Sequence, residues 1–93
     1  MLRRTLFKFR LYVVGGAQNS MRAISNLKAL CRIHLPNRHK IEVIDVLQKP
    51  RRGLADGISM TPTLVKVAPQ PERHIVGNLS QTQTVLRDLG LDA

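Results

Sequence analysis

Residues 59–67 read SMTPTLVKV, with Pro62 held between two threonines and followed by a run of apolar and β-branched residues. β-Branched residues are enriched in strands, so this pattern predicts a strand over residues 63–68. The next residues, PQPE at 69–72, predict a turn because proline cannot donate to a ladder of hydrogen bonds. Residues 74–76 then predict a short antiparallel return strand.

The first half of the chain predicts a strand, a helix and a second strand. Residues 6–14 alternate between apolar and polar side chains, which is the pattern of a strand with one buried face. Residues 20–34 repeat apolar side chains with a period of 3.6 residues, which predicts an amphipathic helix capped by Asn19 or Ser20. Residues 41–47, IEVIDVL, are nearly all apolar or β-branched, as in a parallel strand covered on both faces. Together these elements predict a βαβ unit.

The second half of the chain completes an α/β fold. Residues 51–58 contain two glycines and favour at most a short, weak helix. Ser80 and Gln83 have the spacing of a capping box, which predicts a final helix that Gly90 ends. The order is therefore β-α-β-(α)-β-β-α, the thioredoxin-like arrangement, in a single domain over residues 1–93. In that fold a Thr-Pro-Thr corner faces a redox-active pair of cysteines.

The position of that cysteine pair, at the first strand-to-helix turn, holds GGAQNS over residues 15–20. Because disulfide exchange requires a thiolate, the sequence excludes this activity at the turn. The single cysteine, Cys31, lies on the apolar stripe of the helix, where a packing role is favoured over a nucleophile. Cys31, His34 and His39 are an alternative set of metal ligands, but zinc needs a fourth ligand or a supported water. We expect no metal and no cofactor.

The charge balance is strongly basic, with 15 Lys and Arg against 6 Asp and Glu, a net charge of +9 and a pI near 11.2. Such a field favours an acidic partner. Proteins that bind single-stranded nucleic acid also use stacking aromatics, which are limited here to Phe7, Phe9 and Tyr12, so nucleic-acid binding is disfavoured. No apolar run approaches the roughly 20 residues of a membrane span. The single unpaired cysteine fits a reducing compartment, and we expect a cytoplasmic protein.

Three stretches together resemble the KaiB family of the bacterial circadian clock: LYVVGGAQNSMRAISNLKAL at 11–30, IEVIDVLQKP at 41–50 and TPTLVKVAPQPERHIVGNLS at 61–80. The third stretch is the specific one, because a P-x-P and a G-x-L-S follow the Thr-Pro-Thr that thioredoxins share. The resemblance implies a non-catalytic clock protein that binds a KaiC-type ATPase and modulates its phosphorylation cycle. It also implies a KaiA-like protein or a sensor kinase as further partners, and a homo-oligomer, either dimer or tetramer.

The resemblance further implies two packings of the second half of the chain. The resting tetramer of the family has the topology β-α-β-β-α-α-β, whereas a rare monomeric form has the thioredoxin-like order. Residues 6–47 are then expected to stay fixed while residues 51–91 rearrange. Pro62, Pro69 and Pro71 would make the change slow, because X-Pro isomerisation takes about tens to hundreds of seconds. On this hypothesis a prolyl isomerase speeds the interconversion, which measured exchange rates would test.

The resemblance also implies a docking surface on the second predicted strand. The sequence departs from the family pattern at Arg51-Arg52-Gly53, which replaces a region that is usually acidic in the family. A divergent basic paralogue with a stress-related or nucleic-acid-binding role is therefore the alternative function.

From the residues alone, a hydrogen bond to a nearby backbone turn is favoured for Asp45 over a catalytic role. The predicted contacts are Lys40, Glu42 and Asp45 on or near the docking strand, and Arg22, Lys66 and Arg73 at its periphery.

Overall fold

The structure is a computed structural model that describes residues 5–91. Its element order is the thioredoxin-like order predicted from the sequence, and the alternative resting topology is not the one adopted. The elements are β1 (Phe7–Val13), α1 (Gln18–His34), β2 (His39–Asp45), α2 (Pro50–Ala55), β3 (Thr63–Ala68), β4 (Arg73–Val76) and α3 (Thr82–Asp88).

The four strands form one sheet in the order β2-β1-β3-β4. β1 and β2 are parallel, with Phe7 opposite His39 and Val13 opposite Asp45, which confirms the predicted βαβ unit. β3 runs antiparallel to β1, and β4 runs antiparallel to β3. β2 and β4 therefore lie at the two edges of the sheet.

The main core lies on the face of the sheet that α1 and α3 cover. The alternation of residues 6–14 is confirmed, because the apolar residues of β1 are buried on this face while Lys8 is exposed. His34, which the helical period places on the same stripe, is exposed instead. A smaller cluster of Tyr12, Ile44 and Val65 lies on the opposite face. The main core includes Phe7, Phe9, Leu11, Val13, Ala23, Leu27, Leu30, Cys31, Val85, Leu86 and Leu89.

Both predicted helix caps are wrong. α1 has Ala17 at its N-cap and no capping side chain, and the hydroxyl of Ser20 instead accepts the N–H of Val14 at 3.1 Å. α3 begins at Thr82, so Ser80 lies before the helix and does not form a capping box. The N–H of Ser80 donates to the side-chain oxygen of Asn78 at 3.0 Å. The predicted stop is confirmed, because Gly90 follows α3 with a φ of +76°.

The prediction that IEVIDVL forms a strand covered on both faces is also wrong. β2 ends at Asp45, and Ile44 is its one buried residue. Val43 is 43% exposed, and Leu47, just beyond the strand, is 72% exposed. The reason is that β2 lies at the edge of the sheet. An edge strand is covered less completely than a central strand, so several of its apolar side chains remain exposed.

The Thr-Pro-Thr corner enters β3 as predicted. The peptide bond before Pro62 is cis, and the Thr63 hydroxyl donates to the carbonyl oxygen of Met60 at 2.6 Å. The N–H of Gly77 donates to the Pro62 carbonyl at 2.9 Å and connects the corner to the end of β4. Pro69 and Pro71, each also preceded by a cis bond, lie in the turn between β3 and β4.

Candidate docking surface

The predicted docking strand, β2, is an open edge. One side pairs with β1, and no strand among residues 5–91 pairs with the other. Lys40 and Glu42 are exposed and stand opposite Lys8 and Arg10 in the register with β1, while Val43 is exposed on the other face. An edge strand presents unpaired N–H and C=O groups to a partner chain. The edge thus combines free backbone groups with alternating charged and apolar side chains.

Glu42 is bound within the protein by α2. Both carboxylate oxygens accept hydrogen bonds from the Arg52 guanidinium at 2.9 Å, and Arg10 Nε lies 4.0 Å from one of them. The hydrogen bonds from Arg52 lower the pKa of Glu42. Because this pairing occupies its carboxylate, Glu42 positions α2 against β2 in this structure.

A second polar group ties the end of α2 to β1. Arg10 Nη1 donates to the Asp56 carboxylate at 3.0 Å, and the buried Tyr12 hydroxyl also donates to this carboxylate. Burial and the bond to Asp56 raise the pKa of Tyr12 to about 12. Burial alone raises the pKa of Asp56, but the hydrogen bonds from Tyr12 and Arg10 outweigh burial and leave this pKa below its usual value. No local spacing in the sequence predicts this group, because Asp56 lies 46 residues from Arg10.

Asp45 shapes the turn at the end of β2. One carboxylate oxygen accepts the N–H of Leu47 at 2.9 Å, and the other accepts the N–H of Gly15 at 3.1 Å. This confirms the interpretation that Asp45 binds nearby backbone. The bond to Gly15 also joins the GGAQNS turn to β2, so Asp45 positions the end of β2 through backbone contacts.

The three predicted peripheral contacts do not form one patch with β2. Arg22 is exposed on α1, and Arg73 is exposed on β4 at the opposite edge of the sheet. Contrary to the prediction of a surface contact, Lys66 is only 4% exposed. Its Nζ lies 3.5 Å from the carbonyl oxygen of Leu89 and 5.8 Å from the ring centroid of Phe7. Burial, and then the charge of Arg73, lower the pKa of Lys66.

The alternative metal-ligand set is not assembled. Cys31 is fully buried in the main core, where burial raises the pKa of its thiol to about 11, which confirms the packing interpretation. His39 Nδ1 lies 2.7 Å from the carbonyl oxygen of Leu35, and His34 is exposed. Across residues 5–91, no three His, Cys, Asp or Glu side chains are grouped as metal ligands.

The three aromatic side chains of the chain are all buried, with Phe7 6%, Phe9 2% and Tyr12 0% exposed. None of them is available to stack on a nucleic-acid base. Among the described residues, no helix has the length and hydropathy needed to cross a membrane.

Sequence comparison assigns the family. The model of one family, described as the KaiB domain, matches residues 10–91. The chain belongs to the KaiB family. This KaiB-family chain is 42% identical over 83 residues to the circadian clock protein KaiB3 of Synechocystis, with 89% of the chain and 79% of the relative covered. It is 42% identical over 89 residues to the circadian clock oscillator protein KaiB of Synechococcus elongatus, covering 96% and 85%.

Solved structures show the fold of this KaiB-family protein. The N-terminal domain of SasA from Synechococcus elongatus has a TM-score of 0.72 and 19% identity, covering 99% of this chain and 90% of that domain. A chloroplastic thioredoxin z has a TM-score of 0.74 and 20% identity, covering 95% and 80%. At such identities the likeness concerns the fold alone, which is thioredoxin-like. The family resemblance of the three quoted stretches is confirmed.

Proposed function

We propose that this KaiB-family protein is a non-catalytic, clock-related protein that binds a KaiC-type ATPase and modulates its phosphorylation cycle. The observation that carries the proposal is the KaiB-domain match over residues 10–91. Relatives about 42% identical over nearly the whole chain are named as circadian clock proteins, which supports the same role. The GGAQNS turn has no thiol, which supports a role in binding over disulfide exchange.

The open edge of β2 is the proposed contact. Lys40 is exposed there and offers a cation to an acidic surface, while Glu42 and Asp45 are proposed to position the strand through their contacts with Arg52 and Gly15. Arg22 and Arg73 stay proposed peripheral contacts. Further proposed partners are a KaiA-like protein, a sensor kinase and a second copy of the chain. The proposed location of the protein is the cytoplasm. The rearrangement of residues 51–91 and the role of its three prolines stay predictions.

The test is direct binding to the KaiC-type ATPase of the same organism. We expect the two proteins to elute together in size-exclusion chromatography and the time course of ATPase phosphorylation to change. Replacing a cation at an interface removes a favourable charge contact, so Lys40→Glu should weaken binding by about tenfold. Lys28→Glu, a charge reversal at an exposed position on α1, is the matched control. Separate elution at every concentration tested would contradict the proposal.

Nucleic-acid binding is the second candidate function, and the net charge of +9 favours it. The buried aromatic residues argue against a stacking platform, so binding would depend on phosphate contacts alone. Such binding weakens steeply as salt rises. A salt series with a random duplex therefore distinguishes this function from ATPase binding, and affinity that does not change with salt would exclude it.

A further inference from the structure

A polar cleft lies between β4 and α3, at the edge of the sheet opposite β2. Its lining consists of Arg73, His74 and Ile75 from β4 and Arg87 and Asp88 from α3, and its volume is about 400 Å³. Clefts of about 300–1,000 Å³ commonly bind small ligands. Ile75 is the apolar part of this lining and the other four side chains are polar or charged, so the cleft suits a polar ligand. We call this feature the β4 cleft.

The strand and the helix bring two guanidinium groups to this cleft. Arg73 and Ile75 project from the same face of β4, because side chains two residues apart in a strand share a face. Ile75 is half-buried against the main core, so this is the face that α3 covers. Arg87 lies in the last turn of α3, where a cation is favourable beside the terminal carbonyl groups of the helix.

The two arginines of the β4 cleft have no carboxylate partner within residues 5–91, because neither of them forms an ion pair there. Glu72, which precedes Arg73 in the chain, is paired instead with His74 at 3.0 Å. Asp88 lines the cleft but forms no ion pair with either arginine. Two guanidinium groups and one carboxylate therefore leave the lining with an excess of positive charge.

A third cation lies close to Arg73. Lys66 stands opposite Arg73 in the register between β3 and β4, and it is only 4% exposed. Lys66 also forms no ion pair with a residue from 5 to 91. The charge of Arg73 is the second cause, after burial, of the lowered pKa of Lys66, so the two charges repel each other. An anion beside Arg73 would offset this repulsion.

We propose that the β4 cleft binds an oxyanion of the phosphate class, and that Arg73 and Arg87 hold it. A guanidinium group donates two N–H groups in the geometry that phosphate oxygens accept. No strand among residues 5–91 pairs with the outer edge of β4, so backbone N–H groups of this edge strand are available to the ligand as well. The chemistry is shared by free inorganic phosphate and by the terminal phosphate of a phosphate monoester. This site is separate from the edge of β2 and does not depend on ATPase binding.

The experiment titrates the protein alone with inorganic phosphate and follows its backbone amide and arginine Nε–H signals by NMR. We expect saturable shifts along β4 and around Arg87, with sodium chloride at the same ionic strength as the control for screening. Arg73→Gln and Arg87→Gln should each weaken phosphate binding about tenfold, because each removes a charge-assisted contact. Arg32→Gln removes an exposed cation from α1, outside the cleft, and should leave the affinity unchanged.

Asp88→Asn provides a change of the opposite sign. The substitution removes the one negative charge from the lining of the cleft, so phosphate should bind about threefold more tightly. Arg87→Lys keeps the positive charge but loses the paired N–H groups, and its affinity should lie between those of the wild-type protein and Arg87→Gln. The amide spectrum of each variant shows whether its fold is retained.

Methyl phosphate distinguishes the two sources of the ligand. Equal affinity for methyl phosphate and inorganic phosphate would identify the terminal group of a phosphate ester, and binding of inorganic phosphate alone would identify the free ion; either result supports the site. Shifts that stay linear with phosphate concentration, or that sodium chloride reproduces, would overturn the proposal. An equal loss of affinity in Arg32→Gln and Arg87→Gln would also overturn it, because the effect would then reflect net charge and not the cleft.

Discussion

Arg10 and Asp56, 46 residues apart in the chain, form an ion pair of 3.0 Å that joins β1 to the end of α2. The same carboxylate accepts the hydrogen bond of the buried Tyr12 hydroxyl. A single side chain therefore holds two groups of β1 against α2, and its loss affects both.

Asp56→Ala is expected to reduce the free energy of unfolding by about 2 kcal/mol, because a buried hydroxyl and a partly buried guanidinium lose their acceptor. Urea unfolding measures the change. Asp88→Ala is the matched control, since Asp88 is exposed and forms no ion pair within residues 5–91. Equal losses in the two variants would show that the ion pair contributes nothing specific.

Tyr12 predicts a loss of stability at alkaline pH. Its pKa is raised to about 12 in the folded protein, against about 10 in an unfolded chain. The folded state thus favours the neutral phenol, so the contribution of Tyr12 to stability is fully present below about pH 10 and is lost as pH rises towards 12. The chain has one Tyr and no Trp, so phenolate absorbance reports this group alone.

The control for the alkaline prediction is Tyr12→Phe. Lysines also lose their protons between about pH 10 and 12, but this variant has the same lysines as the wild-type protein. Its free energy of unfolding should fall less between pH 10 and 12, and the difference isolates Tyr12. A phenolate midpoint near 10 in the folded wild-type protein would contradict the prediction.

Gly15→Ala should destabilise the protein through Asp45. A methyl group at Gly15 would lie 2.5 Å from the Asp45 carboxylate oxygen, so the carboxylate must move and its bond to the Gly15 N–H is weakened. We expect a loss of about 1 kcal/mol in urea unfolding. In an Asp45→Ala background the same substitution should cost less, because the clash is gone. Additive losses in the double variant would contradict this coupling.

Cys31 should resist thiol reagents in the folded protein. It is fully buried, and burial raises its thiol pKa to about 11, so little thiolate exists near neutral pH. A chromogenic disulfide reagent at pH 8 should react slowly with native protein and rapidly in urea. Rapid reaction without denaturant would place the thiol at the surface. The Cys31→Ala variant provides the background absorbance.

Local patterns predicted much of the fold. The alternation along β1, the period of α1 and the turn residues around β3 and β4 each act over a few neighbouring positions, and all are seen in the structure. The continuous apolar run at residues 41–47 led to the wrong prediction of a strand covered on both faces, because such a run is compatible with a central strand and with an edge strand. The sheet order, which depends on contacts distant in sequence, decides between them.

The candidate site was less predictable, because its contacts are distant in sequence. Lys66 lies in a run of apolar and β-branched residues, yet its side chain is buried beside the ring of Phe7. Asp56 looks like one of six scattered acids until the fold brings it to Arg10. The prediction that β2 is a docking strand came from the family resemblance, and the sheet order shows that β2 has an open edge.

The shallow attachment of α2 has a consequence for hydrogen exchange. The helix buries only Gly53, and Arg52 and Asp56 hold it to the sheet through ion pairs that salt screens. Its amide hydrogens should therefore exchange with deuterated solvent through local opening, well before those of the central strand β1. Added salt should widen this gap, so that α2 opens still more readily relative to β1.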